Sequence, residues 1–156
     1  MTEATGAGGR EVTVSRVFDA PRELVWKAWT DPGQFAAWFG GPPYTTPPST
    51  VSMDVRPGGE WRATMVSDED GSELPFQGVY REVEEPERLV LTFDDPSEPN
   101  NPNVEVLTIT FTDLGDGRTE VVAHQAGHLP EEEYEKLKEG YSTFFDQLAE
   151  HLARAK

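Results

Sequence analysis

The chain has 156 residues and no cysteine, with 29 acidic against 13 basic residues and a formal net charge of −16. That length fits one domain whose core needs no disulfide or metal staple, and the missing thiols remove disulfides, thiolate nucleophiles and cysteine-ligated metal centres. Nucleic acids and anionic membrane surfaces demand cations of a partner, so this charge excludes both as partners and favours solubility.

Residues 1–10, MTEATGAGGR, lack the apolar stretch of a signal peptide and read as a disordered tail; residues 11–156 read as a single domain. No window approaches the ~18 apolar residues of a membrane span, so the expected location is the cytoplasm. Residues 11–18, EVTVSRVF, alternate, with Val12, Val14, Arg16 and Phe18 on one face, which predicts a strand. Asp19 can cap the helix that follows, with Pro21 near its first position and Glu23 in its first turn. Leu24, Val25, Ala28 and Trp29 recur at helical spacing over residues 23–30 until Asp31-Pro32 breaks the pattern. A second short helix over residues 33–39 stops at Gly40-Gly41-Pro42-Pro43, and residues 42–50 carry too much proline for regular structure. Strands are then predicted over residues 50–56, 60–66, 75–83, 88–93, 104–113 and 119–126. Within them Trp61, Ala63 and Met65 share one face, as do Leu107, Ile109 and Phe111, and Gly-centred turns join the pairs. From 131 to 154 the period changes. Tyr134, Leu137, Tyr141, Phe144, Phe145, Leu148 and Leu152 form one apolar stripe on a helix roughly 36 Å long.

Strand, two short helices, six strands and a long helix make an α+β chain. Strands joined by short turns pair antiparallel, and the stripe of the last helix must be buried on the inner face of the sheet. The residues Arg16-Val17-Phe18-Asp19-Ala20-Pro21, Val25-Trp26-Lys27-Ala28-Trp29-Thr30-Asp31-Pro32, Trp38-Phe39 and Asp54-Val55-Arg56-Pro57-Gly58-Gly59 carry a resemblance. So do Gly78-Val79-Tyr80, Val83, Pro86-Glu87-Arg88-Leu89, Gly117, Thr119 and Gly140-Tyr141. Over residues 11–154 the chain resembles the bacterial relatives of the C-terminal domain of the activator of Hsp90 ATPase. These belong to the helix-grip superfamily with START, Bet v 1-like and polyketide-cyclase domains. The resemblance implies a helix-grip fold: a curved antiparallel sheet of about seven strands wrapped on a long C-terminal helix, with two short helices after the first strand.

A sheet wrapped on a helix implies a cavity between them, for which Trp38, Trp61, Met65, Phe76, Tyr80, Phe111, Gln125, Tyr141, Phe144 and Phe145 are the candidate lining residues. Taken singly, each of these residues is better explained by a closed core; as a set, the resemblance favours a pocket. Gly140 costs its helix roughly 1 kcal/mol relative to alanine; it either opens room beside Tyr141, or serves a close contact with the sheet or a slight bend of the helix. Gln125 shares the parity of Val121 and Ala123 and faces inward, with backbone at the strand end as its expected partner. His124 has the opposite parity, His128 falls beyond the strand and His151 lies on the polar side of the last helix, so no metal set is expected. The acidic turns lack calcium-loop spacing and no GxSxG is present, so neither cofactor nor catalytic residue is assigned.

Three functions are therefore in competition. The first is a binder of a small hydrophobic molecule without clear catalytic machinery. The second is a cyclase- or aromatase-type enzyme using the same pocket, with Tyr80, Gln125, Tyr141 and Arg16 as its polar groups. The third, by analogy with the eukaryotic relative, is an Hsp90-type chaperone partner acting through its surface. Exposed strand edges also offer a homodimer contact.

Overall fold

Alternating side chains and tight turns build one antiparallel sheet. The structure, a computed structural model, describes residues 10–39, 44–93, 105–127 and 130–155. The tail before Arg10, the predicted stop at residues 40–43 and His128 lie outside them. The strands are β1 (Arg10–Phe18), β2 (Tyr44–Thr45), β3 (Ser52–Met53), β4 (Glu60–Ser67), β5 (Glu73–Glu84), β6 (Arg88–Phe93), β7 (Glu105–Gly115) and β8 (Arg118–Gly127). Helices α1 (Arg22–Thr30) and α2 (Pro32–Trp38) follow β1, and α3 (Glu131–Ala155) closes the chain. The sheet order is β1-β8-β7-β6-β5-β4-β2, with β3 also paired to β4, which makes eight strands. This is the expected α+β helix-grip layout with one strand more than anticipated.

The extra strand comes from the proline-rich segment. Tyr44 and Thr45 stand between its prolines and pair with Ser67 and Val66, and the Thr45 hydroxyl donates to Asp68 at 2.7 Å. The strand predicted over residues 50–56 is shorter for a related reason. Pro48–Thr50 takes a 3-10 turn, and the amides of Arg56 and Gly59 fold back onto Asp54 and Arg56, leaving only Ser52–Met53 to pair. The first helix departs from expectation as well. Pro21, not Asp19, is its cap residue, whereas Asp31 both ends α1 and caps α2 by accepting from the Gln34 amide at 3.1 Å.

Gly78 permits the closest approach in the sheet. A Cβ there would lie 1.7 Å from the Thr92 carbonyl oxygen and 2.6 Å from Trp61 Nε1. The bare backbone lets the Trp61 indole reach across and donate to that carbonyl at 2.9 Å.

Helix α3 sits off centre. It packs mainly against β1, α1 and α2, with Phe145 and Leu148 fully buried. Phe145 meets Phe18 of β1 edge to face at 5.7 Å. Arg16, on the inward face of β1, pairs with Asp146 at 2.6 Å and lies 5.8 Å from the Phe145 ring. It therefore secures the seam between β1 and α3 and does not line the cavity, contrary to its candidacy as a pocket group. Seated mainly on the β1 side, α3 leaves a space between its Leu137–Phe144 face and strands β4 to β7.

Candidate functional site

That space is a cavity of about 640 Å³, within the range of small-molecule sites. Leu89, Leu91 and Phe93 of β6 make its floor beside Trp61, Phe76 and Tyr80 of β4 and β5. Trp29, Phe35, Trp38 and Phe39 close one side, and Leu137, Gly140, Tyr141 and Phe144 of α3 form the roof. The local folding rules explain why the walls are so apolar. Inward parity brings the strand residues to one surface, and two of the three indole N–H groups of the lining tryptophans are used by the backbone, while that of Trp29 is buried without a hydrogen-bond partner. Trp38 donates to the Ala28 carbonyl at 2.8 Å, as Trp61 does to Thr92. Stacked Phe35 and Phe39, 4.5 Å between centroids, and the tilted Phe39–Phe144 pair at 5.3 Å join α2 to α3 along the wall.

One end is polar. Gln125 of β8 lies 6% exposed, in register with Leu107, which pairs with Leu91, which pairs with Tyr80. The Tyr141 hydroxyl donates to Gln125 Oε1. Gln125 Nε2 in turn donates to Glu105 Oε1 at 3.0 Å, and the Tyr134 hydroxyl donates to the same oxygen at 2.7 Å. Gln125 therefore faces inward as its parity requires, but its partners are side chains and not the backbone of the strand end. Burial first, and the Glu105 carboxylate second, push the Tyr141 hydroxyl pKa well above its usual value. Burial, then Asp54, does the same to Tyr80. Both phenols stay protonated and offer hydrogen bonds; neither can serve as a base near neutral pH.

Seven of the ten candidate lining residues surround this space: Trp38, Trp61, Phe76, Tyr80, Gln125, Tyr141 and Phe144. The other three are buried elsewhere. Phe111 packs edge-on against Trp26 and Trp29 under α1, Phe145 is taken up by β1, and Met65 lies at the end of β4 next to the pairing with β2. Parity placed all three inward correctly, but whether an inward residue reaches empty space depends on where the helices sit. Trp29, Leu89, Leu91, Phe93 and Leu107 line the cavity and were not singled out, nor was Glu105. The signal for Glu105 was present, since it has the parity of Leu107, Ile109 and Phe111. Gly140 opens room: a Cβ there would meet nothing within 4 Å, so the close-contact reading does not hold.

The histidines stand apart from the cavity. His124 pairs with Glu11 on the neighbouring strand at 2.7 Å. His151 is half-buried rather than solvated and bonds Gln34 across the α2–α3 seam at 3.2 Å. Among the described residues no group of three His, Asp or Glu side chains is placed to hold a metal ion. Among them, too, no helix is long and apolar enough to cross a membrane.

Solved structures repeat this architecture. A protein from Chromobacterium violaceum is 25% identical with a TM-score of 0.78, the match covering 92% of this chain and 97% of that one. One from Nitrosomonas europaea is 27% identical with a TM-score of 0.77, covering 97% and 98%. An AHSA1-like protein from Aeromonas hydrophila shares the fold at 21% identity and a TM-score of 0.76, covering 93% of each chain. No curated protein sequence matches the chain. The family model described as "Activator of Hsp90 ATPase homolog 1-like protein" matches residues 19–153, and the chain belongs to that family.

Proposed function

We propose that the protein binds a small hydrophobic molecule in the cavity between the sheet and α3. The observation that carries this reading is a space of about 640 Å³ walled by aromatic and aliphatic side chains, with the linked Gln125 and Tyr141 side chains at one end. Apolar walls without a filler forgo dispersion contacts, and a ligand that covers them gains about 25 cal/mol for each Å² of apolar surface removed from water. Native mass spectrometry of the purified protein, followed by denaturing extraction, tests the reading. A stoichiometric apolar molecule is the expected result. Gly140→Phe projects a ring into the open space beside Tyr141 and is expected to abolish co-purification without unfolding the chain; retention of the same ligand by this variant would sink the proposal.

A cyclase- or aromatase-type enzyme is the second reading, favoured by the presence of Tyr80, Gln125 and Tyr141 in one cavity wall. One feature weighs against it: the Tyr80 and Gln125 positions are three strand spacings, about 14 Å, apart along the registered row. Incubating the extracted ligand with fresh protein separates the two: a changed ligand mass that Tyr80→Phe or Tyr141→Phe prevents supports the enzyme, and an unchanged mass supports the binder.

A further inference from the structure

We propose that the ligand carries a neutral hydroxyl group held at the Gln125–Tyr141 end of the cavity, and that carboxylates are rejected there. This rests on the binding reading above and specifies its chemistry.

The directions of the hydrogen bonds among Gln125, Tyr134, Tyr141 and Glu105 follow from the carboxylate. A carboxylate only accepts. Its Oε1 receives Gln125 Nε2 at 3.0 Å and the Tyr134 hydroxyl at 2.7 Å. The amide of Gln125 is thereby oriented, with its NH₂ towards Glu105 and its oxygen towards Tyr141, and Tyr141 must donate its only proton to that oxygen. What remains at this end of the cavity is acceptor capacity on the Tyr141 oxygen and the second N–H of Gln125; Trp29, on the α1 side of the cavity, adds an unpartnered indole N–H. A single hydroxyl meets both needs, because it donates through its proton and accepts through its oxygen. A ketone or ether meets only the N–H. A carboxylate also meets only the N–H, and it brings a negative charge within two hydrogen bonds of Glu105 into a cavity wall that contains no Lys, Arg or His among the described residues.

The arrangement is built into the backbone. Tyr134, Gln125 and Tyr141 are 3%, 6% and 6% exposed. Gly127, at the end of β8, leaves the space that the carboxylate fills, for a Cβ there would lie 1.8 Å from Glu105 Oε2. The orienting carboxylate, the amide and both phenols thus come from two adjacent strands and the facing side of α3.

Three bicyclic probes of matched shape test the assignment by calorimetric titration at neutral pH: naphthalene, 2-naphthol and 2-naphthoate. 2-Naphthol is expected to bind roughly tenfold more tightly than naphthalene, as one or two net neutral hydrogen bonds allow, and 2-naphthoate more weakly than either. Gln125→Met is expected to remove the preference for 2-naphthol over naphthalene, so that the two probes bind alike. Should that variant fail to fold, Tyr141→Phe is expected to show the same loss. Glu105→Gln is expected to narrow the gap between naphthoate and naphthalene. Equal affinity for 2-naphthol and naphthalene, or tighter binding of naphthoate than of naphthalene, would overturn the hydroxyl assignment and leave the binding reading standing. Binding of none of the three overturns both.

Discussion

Two glycines behave in opposite ways, and the difference is set by what stands next to each. At Gly140 a methyl group would meet nothing within 4 Å, and the backbone is mid-helix. Gly140→Ala should therefore raise stability by up to ~1 kcal/mol through helix propensity alone, read as an increased midpoint of urea unfolding. At Gly78 the same methyl would collide with the Thr92 carbonyl, which is backbone and cannot step aside. Gly78→Ala should cost about 3 kcal/mol or more, by displacing β6 and breaking the Trp61 hydrogen bond to Thr92. A loss below ~1 kcal/mol in the same unfolding assay would show that the sheet gives way there more easily than this packing implies.

At the level of elements, the seat of α3 decides where the cavity lies. Phe145 is fully buried against Phe18, Tyr141 and the Arg16 guanidinium. Phe145→Ala is expected to destabilise the fold by ~3–5 kcal/mol, a loss that differential scanning calorimetry would register as a much lower Tm. The seam between α3 and α2 should also respond to pH. Partial burial, then the charge of Arg154, holds the His151 imidazole below its usual 6.5. The unfolded chain therefore takes up this proton at higher pH than the folded one does. The stability that the neutral ring contributes is present above 6.5 and is lost as pH falls through the lower folded value. His151→Asn should flatten that part of the stability profile, measured by denaturant unfolding from about pH 8 down to about pH 5. A profile that keeps the wild-type slope would assign the acid loss to other groups. Periodicity revealed the helix and its stripe, since a 3.6-residue repeat is a local property. Whether Phe144 or Phe145 faces the cavity is a matter of one residue's rotation around the helix, and β1, not the stripe, settles it.

Across the whole molecule the charge of −16 is a long-range repulsion that the folded state concentrates. Its screening length falls from ~10 Å in 0.1 M salt to ~3 Å in 1 M. The Tm is therefore expected to rise between low and molar sodium chloride, and a flat response would show that the charges are too dispersed for self-repulsion to matter. Ion pairs such as Lys136–Glu133 and Lys138–Glu135 on α3 do little to offset this, since they lie exposed to solvent.

The sequence by itself determined the order of elements, the antiparallel pairing of neighbours, the inward parity of the strands and the family resemblance. All of these depend on spacing along the chain or on local turn chemistry. It also carried the small departures in readable form, such as Glu105 sharing a face with Leu107 and Gly140 interrupting a good helix. Only the tertiary structure decided that α3 leans on β1, and from that single placement follow the position of the cavity and the exclusion of Met65, Phe111 and Phe145 from its wall. The coupling of Gln125 to Glu105 and Tyr141 is of the same kind. Its members lie 20 and 16 residues apart in the chain, and no local pattern sets the distance between them until sheet register and helix seating have both been fixed.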